Sequence, residues 1–219
     1  VSSYNYVIES LIAGVNYYVR VTPVNEEGYS VAQVSVPAML APPVQKPSAP
    51  KSIYLSTESE KSLRVLWRHP ESAGGDDITK YKIEWDTHAS FGSNNGNPVG
   101  EYHKLISVNT ECKDVHCAYS ISGLEKGTPY FVRVFAYNSR GYSDEVGLPE
   151  NLSETPKTQP QRPASVKVTP ADNNSLKVVI APPPDNGGAP ITNYKIEWNV
   201  LGAEAWSSDL TTPAKSLLY

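Results

Sequence analysis

The stretch GTPYFVRVFAYNSRGYS, residues 127–143, decides how this chain is read. Within it Tyr130, Val132, Val134 and Ala136 alternate with Phe131, Arg133, Phe135 and Tyr137. Period-two alternation in a run rich in β-branched and aromatic residues specifies a strand with one face buried and the other toward solvent. The stretch has an earlier copy. GVNYYVRVTPVNEEGYS, residues 14–30, aligns with it without a gap, placing Gly14 on Gly127, Tyr17 on Tyr130, Arg20 on Arg133, Asn25 on Asn138 and Tyr29 on Tyr142. Each pair is 113 residues apart. YKIEW at 81–85 returns at 194–198, and SLRVLWRHP at 62–70 lies over SLKVVIAPP at 175–183, with the same offset. A fixed period of this length marks tandem copies of one domain.

The middle copy carries further strands. Leu63, Val65 and Trp67 share one face of LRVLW, and Tyr81, Ile83 and Trp85 share one face of YKIEW, with Lys82 and Glu84 opposite. Turn-forming clusters separate these runs: SAGGDD at 72–77, GSNNGNP at 92–98 and EKGTP at 125–129. No amphipathic helical pattern interrupts them. About seven short strands per repeat, each with one buried face, describe an all-β, immunoglobulin-like antiparallel sandwich of two sheets. Two proline-rich stretches, PAMLAPPVQKPSAP (37–50) and ENLSETPKTQPQRP (150–163), read as stiff junctions, because proline leaves strand ladders and holds extended backbone. The expected organisation is therefore one complete domain at 45–157, the C-terminal part of a like domain at 1–44, and the N-terminal part of a third at 158–219. Two part-domains fit a segment of a longer array. Completion of one chain's half by another chain's half, through strand donation, is the alternative.

Bulk composition narrows the function. Apolar residues make up 39% of the chain, enough for a packed core. A formal charge of −4 without a basic stripe argues against a nucleic-acid partner. No apolar run approaches the ~18 residues of a membrane span. The 19 prolines outnumber the 14 glycines, there are 14 tyrosines, and only one methionine is present, a mix that favours strands and turns.

These residues resemble the fibronectin type III family over almost the whole chain. Trp67 resembles its core tryptophan, and Tyr81, Ile83 and Trp85 its third-strand triplet. Leu124-x-x-Gly127-x-x-Tyr130 resembles the corner between its fifth and sixth strands, repeated as Leu11-x-x-Gly14-x-x-Tyr17. The resemblance implies that the Tyr130 hydroxyl bonds to backbone near that corner. There are departures: Ile180 stands where Trp67 does in the middle repeat, and Pro23 where Ala136 does. SRGYSD at 139–144 is not an Arg-Gly-Asp site, and WSSD at 206–209 is not the tryptophan–serine box of cytokine-receptor relatives.

Mapped on that fold, Cys112 and Cys117 flank the turn between the fourth and fifth strands, where a hairpin brings a pair into disulfide range. A disulfide implies an oxidising compartment. Free thiols are one alternative; a metal site recruiting His116 and His103 is another, though with three ligands at best it falls short of zinc's four. Asn151-Leu152-Ser153 and Asn173-Asn174-Ser175 are glycosylation sequons placed to be exposed. Asp76-Asp77 and Asp185-Asn186 sit beside glycines and read as turn chemistry. The four histidines match no nucleophile pattern, so no enzyme is expected, nor any cofactor or metal. Arg20 and Arg133 recur on an outer strand face. With the nominally exposed Phe131, Phe135 and Tyr137 they form a possible interface, repeated along an assembly.

The expectation is a non-catalytic structural or adhesive module of a large extracellular or cell-surface protein. It would be a semi-rigid spacer and protein-interaction surface in a fibre, filament or matrix, whose partners are copies of itself or neighbouring domains. The alternatives are a receptor ectodomain, an intracellular muscle-type scaffold, suggested by PPPDNGGAPITNYKIEW (182–198), and a spacer in a secreted carbohydrate-active enzyme.

Overall fold

A computed structural model describes residues 3–92, 103–108, 112–113, 116–202 and 204–210. The expected turn at 92–98 lies outside the described residues beyond Gly92, as does the side chain of His103. The first segment holds β1 (Tyr17–Val21), β2 (Val24–Asn25), β3 (Gly28–Tyr29) and β4 (Gln33–Leu40). The middle segment holds β5 (Lys51–Ser59), β6 (Ser62–Arg68), β7 (Lys80–Asp86), β8 (His103–Ser107), β9 (Cys112–Lys113), β10 (His116–Ser122), β11 (Tyr130–Asn138), β12 (Gly141–Tyr142) and β13 (Ser153–Glu154). The last holds β14 (Ser165–Asp172), β15 (Ser175–Ala181), β16 (Lys195–Trp198) and β17 (Ser207–Leu210).

The middle segment forms two sheets, ordered β5-β6-β10-β9 and β12-β11-β7-β8, with β13 also on β11. The alternation read from 127–143 is realised without a slip: β11 is buried at Tyr130, Val132, Val134, Ala136 and Asn138 and half-buried at each residue between. Its partner β7 runs antiparallel, from Lys80 opposite Tyr137 to Asp86 opposite Phe131. Trp67 and Tyr81 meet edge-to-face, with ring centroids 5.4 Å apart. The Tyr81 hydroxyl shares a 2.5 Å hydrogen bond with His69 Nδ1, and burial pushes its pKa well above the usual phenol range.

The chain resolves into two compact units, 1–55 with 65–119 and 130–153, and 56–64 with 120–129 and 154–219. In the first, Ile53, Leu55, Val65, Trp67, Ile83, Val132 and Val134 are buried. Asn138 is fully buried there as well, donating through Nδ2 to the carbonyls of Gln45 (2.7 Å) and Ala73 (2.8 Å). A buried amide donating to two backbone acceptors ties the linker and a turn to β11. The corner tyrosine expected from the family resemblance is present in the first repeat, where the Ile12 N–H donates to the Tyr17 hydroxyl at 3.0 Å. In the second unit Leu63, Ile121 and Leu124 are buried, and the Leu124 N–H donates to the Lys61 carbonyl.

Outside the middle segment, described strands pair only two by two: β1 with β4, β2 with β3, β14 with β15, and β16 with β17. Their apolar residues stay open to solvent, among them Tyr18, Val34, Val166, Val168 and Leu176. The proline-rich stretches are held rather than free. Pro47 and Pro50 are buried, as are Pro149 and Pro156.

Candidate functional site

The outer face of β7 and β11 concentrates the chain's chemistry. Antiparallel register places the outward residue of one strand beside that of the other. Tyr137 faces Lys80, Phe135 faces Lys82, Arg133 faces Glu84, and Phe131 faces Asp86. Cations are thus interleaved with aromatic rings. Lys80 Nζ lies 4.0 Å from the Tyr137 centroid. Lys82 Nζ lies 4.3 Å from Phe135 and 4.8 Å from Tyr142. Arg133 Cζ is 4.1 Å above Phe91 and 5.4 Å from Phe135. Tyr142 closes the stack from β12, edge-on to Tyr137 at 4.8 Å. Each cation sits on the negative face of a ring, a contact contributing about 0.5–1 kcal/mol where partly solvated.

Glu84 is the centre of the ladder. Its carboxylate accepts from Arg133 Nε at 2.6 Å and lies 2.8 Å from Lys82 Nζ. The residue is only 7% exposed. Burial is the strongest single influence and opposes the charge, but the hydrogen bonds and the positive charges of Lys82 and Arg133 together outweigh it. The Glu84 carboxyl is held below the usual carboxylate range. The Tyr142 phenol is pushed up, first by burial and then by Tyr137 and Glu84.

This arrangement corrects one sequence expectation. Phe131, Phe135 and Tyr137 are half-buried rather than fully exposed, and lysine and arginine side chains lie over the rings of Phe135 and Tyr137. Arg133, Glu84 and Lys82 together form a mostly buried triad. Nor does the full ladder recur. Arg20 is exposed on β1, where Thr22 and Val24 occupy the positions equivalent to Phe135 and Tyr137. In the third repeat the lysine–glutamate pair persists, with Lys195 Nζ 2.6 Å from Glu197 Oε1. Sequence reasoning missed Lys80, Phe91 and Tyr142. The first was accessible from the period-two phase of 80, 82 and 84; Phe91 lies beyond the end of β7 and Tyr142 on the short strand β12, and only the fold sets their return path.

Cys112 and Cys117 are disulfide-bonded and directly opposite in register across β9 and β10, with Cα atoms 4.0 Å apart. Cys117 is fully buried. The linkage uses both thiols that a metal site would have needed, and His116 Nε2 instead accepts from Arg68 Nε at 3.1 Å. Among the described residues, no cluster of three or more metal-ligating side chains occurs, and no helix is long and apolar enough to cross a membrane. The two sequons differ. Asn173 is exposed in the β14–β15 turn, whereas Asn151 donates through Nδ2 to the Leu55 carbonyl at 3.0 Å.

Two antiparallel sheets around Trp67 and the Tyr81–Ile83–Trp85 strand are matched by the sequence model of the fibronectin type III domain at residues 48–149. Residues 48–149 are a fibronectin type III domain. Neural cell adhesion molecule 1 of Gallus gallus is 30% identical over 206 residues, covering 90% of this chain and 18% of that protein. Titin of Drosophila melanogaster is 25% identical over 219 residues, covering 98% of this chain and 1% of titin. The chain thus spans a small fraction of its fibronectin type III relatives. Among solved structures, domains d3–d4 of the rat CD45 extracellular region align at 15% identity and a TM-score of 0.47, over 70% of each chain.

Proposed function

We propose that this fibronectin type III chain is a non-catalytic adhesive and structural segment of a large multidomain protein at the cell surface. In it, residues 45–157 are one whole domain, and 1–44 and 158–219 are parts of its neighbours. The segment is a semi-rigid spacer that offers the ladder face of Phe131, Arg133, Phe135 and Tyr137 to protein partners, with Arg20 on the matching strand of the repeat before. The observation that carries this reading is the Cys112–Cys117 disulfide, since such bonds persist in oxidising compartments and are rare in the cytosol. Similarity to a neural cell adhesion molecule over 90% of the chain supports it.

A second reading, an intracellular scaffold, is favoured by the likeness to titin over 98% of the chain. Peptide mapping of the natural protein by mass spectrometry, without reduction, separates the two. A Cys112–Cys117 linked peptide and glycan on Asn173 are the expected result. Free thiols together with bare asparagines refute the cell-surface reading and favour the scaffold.

A further inference from the structure

Two turns that lie 113 residues apart make the same contact twice. Gly74-Gly75 and Gly187-Gly188 each follow β6 or its counterpart β15, and all four adopt left-handed φ, between 75° and 85°. Each pair is pressed against the corner glycine of the repeat before it. A Cβ on Gly75 would lie 2.2 Å from the Ala13 carbonyl oxygen, and one on Gly14 would lie 2.2 Å from the Gly75 oxygen. In the second instance a Cβ on Gly188 would lie 2.8 Å from Lys126 Cγ, 2.9 Å from the Gly127 nitrogen and 3.1 Å from the Pro156 oxygen. Most of these obstacles are backbone atoms, which cannot rotate aside.

The linkers are clamped in matching fashion. Gln45 N–H donates to the Gly74 carbonyl and Ser48 N–H to the Ser72 carbonyl, at 2.8 and 2.9 Å. Thr158 N–H donates to the Gly187 carbonyl and Gln161 N–H to the Asp185 carbonyl, also at 2.8 and 2.9 Å. Gln45 with Thr158, Gly74 with Gly187, Ser48 with Gln161, and Ser72 with Asp185 are equivalent positions of the repeat. The corner glycines donate into the linkers as well, Gly14 to Pro42 and Gly127 to Pro156, each at 3.0 Å.

We infer that the double-glycine turn is a docking element whose partner is the corner glycine and linker of the preceding repeat, and that this contact fixes the orientation of successive domains. Proline alone leaves ψ free at every linker residue. Hydrogen bonds from the linker to the turn, with two backbones in van der Waals contact at the glycines, remove that freedom. Glycine is demanded twice over, by its positive φ and by the absence of room for a side chain. The second joint carries an additional tie. Lys126 makes ion pairs with Asp185 and, at 3.4 Å, with Glu60, and the Asp185 hydrogen bond raises the lysine's pKa. Ala13 and Ser72 hold the equivalent positions of the first joint, which has no such pair. The inference rests on the repeat boundaries proposed above and is independent of the cellular setting, so free thiols in the mapping experiment would leave it standing.

Electron–electron distance measurements between paired spin labels test it. Labels at Tyr29→Cys and Leu105→Cys report the first joint; labels at Lys61→Cys and Leu176→Cys report the second. The unaltered joints give narrow distance distributions. Gly75→Ala at least doubles the width for the first pair only, and Gly188→Ala for the second pair only. Gly123→Ala is the control: Gly123 has φ +76° with nothing within 4 Å of an added Cβ, so it imposes the same backbone strain without touching a joint and leaves both widths unchanged. Lys126→Met, which introduces no backbone strain, broadens the second pair and spares the first. Broadening by Gly123→Ala equal to that by Gly75→Ala, or unchanged widths in both Gly188→Ala and Lys126→Met, would overturn the inference.

Discussion

Glu84→Gln is the sharpest probe of the ladder. The substitution keeps volume and one acceptor oxygen but removes the charge that two cations share. Hydrogen bonds to charged groups contribute ~1.5–3 kcal/mol each, and Glu84 makes them with Lys82 and Arg133. Water recovers part of the loss, since the Lys82 and Arg133 side chains are 23% and 25% exposed. A destabilisation of about 2 kcal/mol at neutral pH follows, or roughly 8–16 °C in Tm for a domain of this size. The assay is urea unfolding followed by the fluorescence of buried Trp67 and Trp85, repeated from pH 7 to pH 3. The folded-state pKa of Glu84 lies below its ordinary value of 4.5. Its contribution is therefore fully present above that value and is lost as pH falls through the folded pKa. The two proteins differ most at neutral pH and converge in acid, and the difference isolates Glu84 from other carboxylates. A loss under ~0.5 kcal/mol at pH 7, within the range of ordinary surface substitutions, or parallel acid limbs in the two proteins, would refute the reasoning.

Other outcomes test separate parts of the structure. Asn138→Ala strips the Gln45 and Ala73 carbonyls of their buried donor and costs about 3 kcal/mol in urea unfolding. Replacing Cys112 and Cys117 together by alanine costs about 2 kcal/mol, the scale expected for so short a loop, and a reductant should lower the Tm of the parent protein but not of the variant. In glycopeptide mapping of protein from a secretory host, Asn173 should carry glycan at higher occupancy than Asn151, whose Nδ2 is engaged by Leu55.

Much of this protein is legible residue by residue. The buried face of β11, Tyr130 through Ala136, follows from period-two alternation, because a pleated strand sends successive side chains to opposite faces. The register of β7 against β11 was hidden, and with it the pairing of Glu84 with Arg133 and of Lys82 with Phe135. Apolar patterning assigns residues to the inside, but Arg133 takes its carboxylate partner from a strand neighbour 49 residues away in the chain. Phe135 and Tyr137 therefore read as bare aromatics, and only the folded sheet shows the cations laid over them. Asp185 read as turn chemistry for a similar reason: its Asx bond to the Gly187 N–H is local, whereas its ion pair with Lys126 is not.

By itself, the sequence determined the repeat, the all-β class and the inward face of each main strand. All of these depend on short-range periodicity or on one segment compared with its own copy. Tertiary structure decided which charged and aromatic groups meet on the outer sheet, and that the glycines at 14, 74 and 75, and at 127, 187 and 188, touch one another or a linker. A glycine in a turn has the same local signature whether its missing side chain makes room for water or for another backbone. The difference lies in what the rest of the chain brings against it.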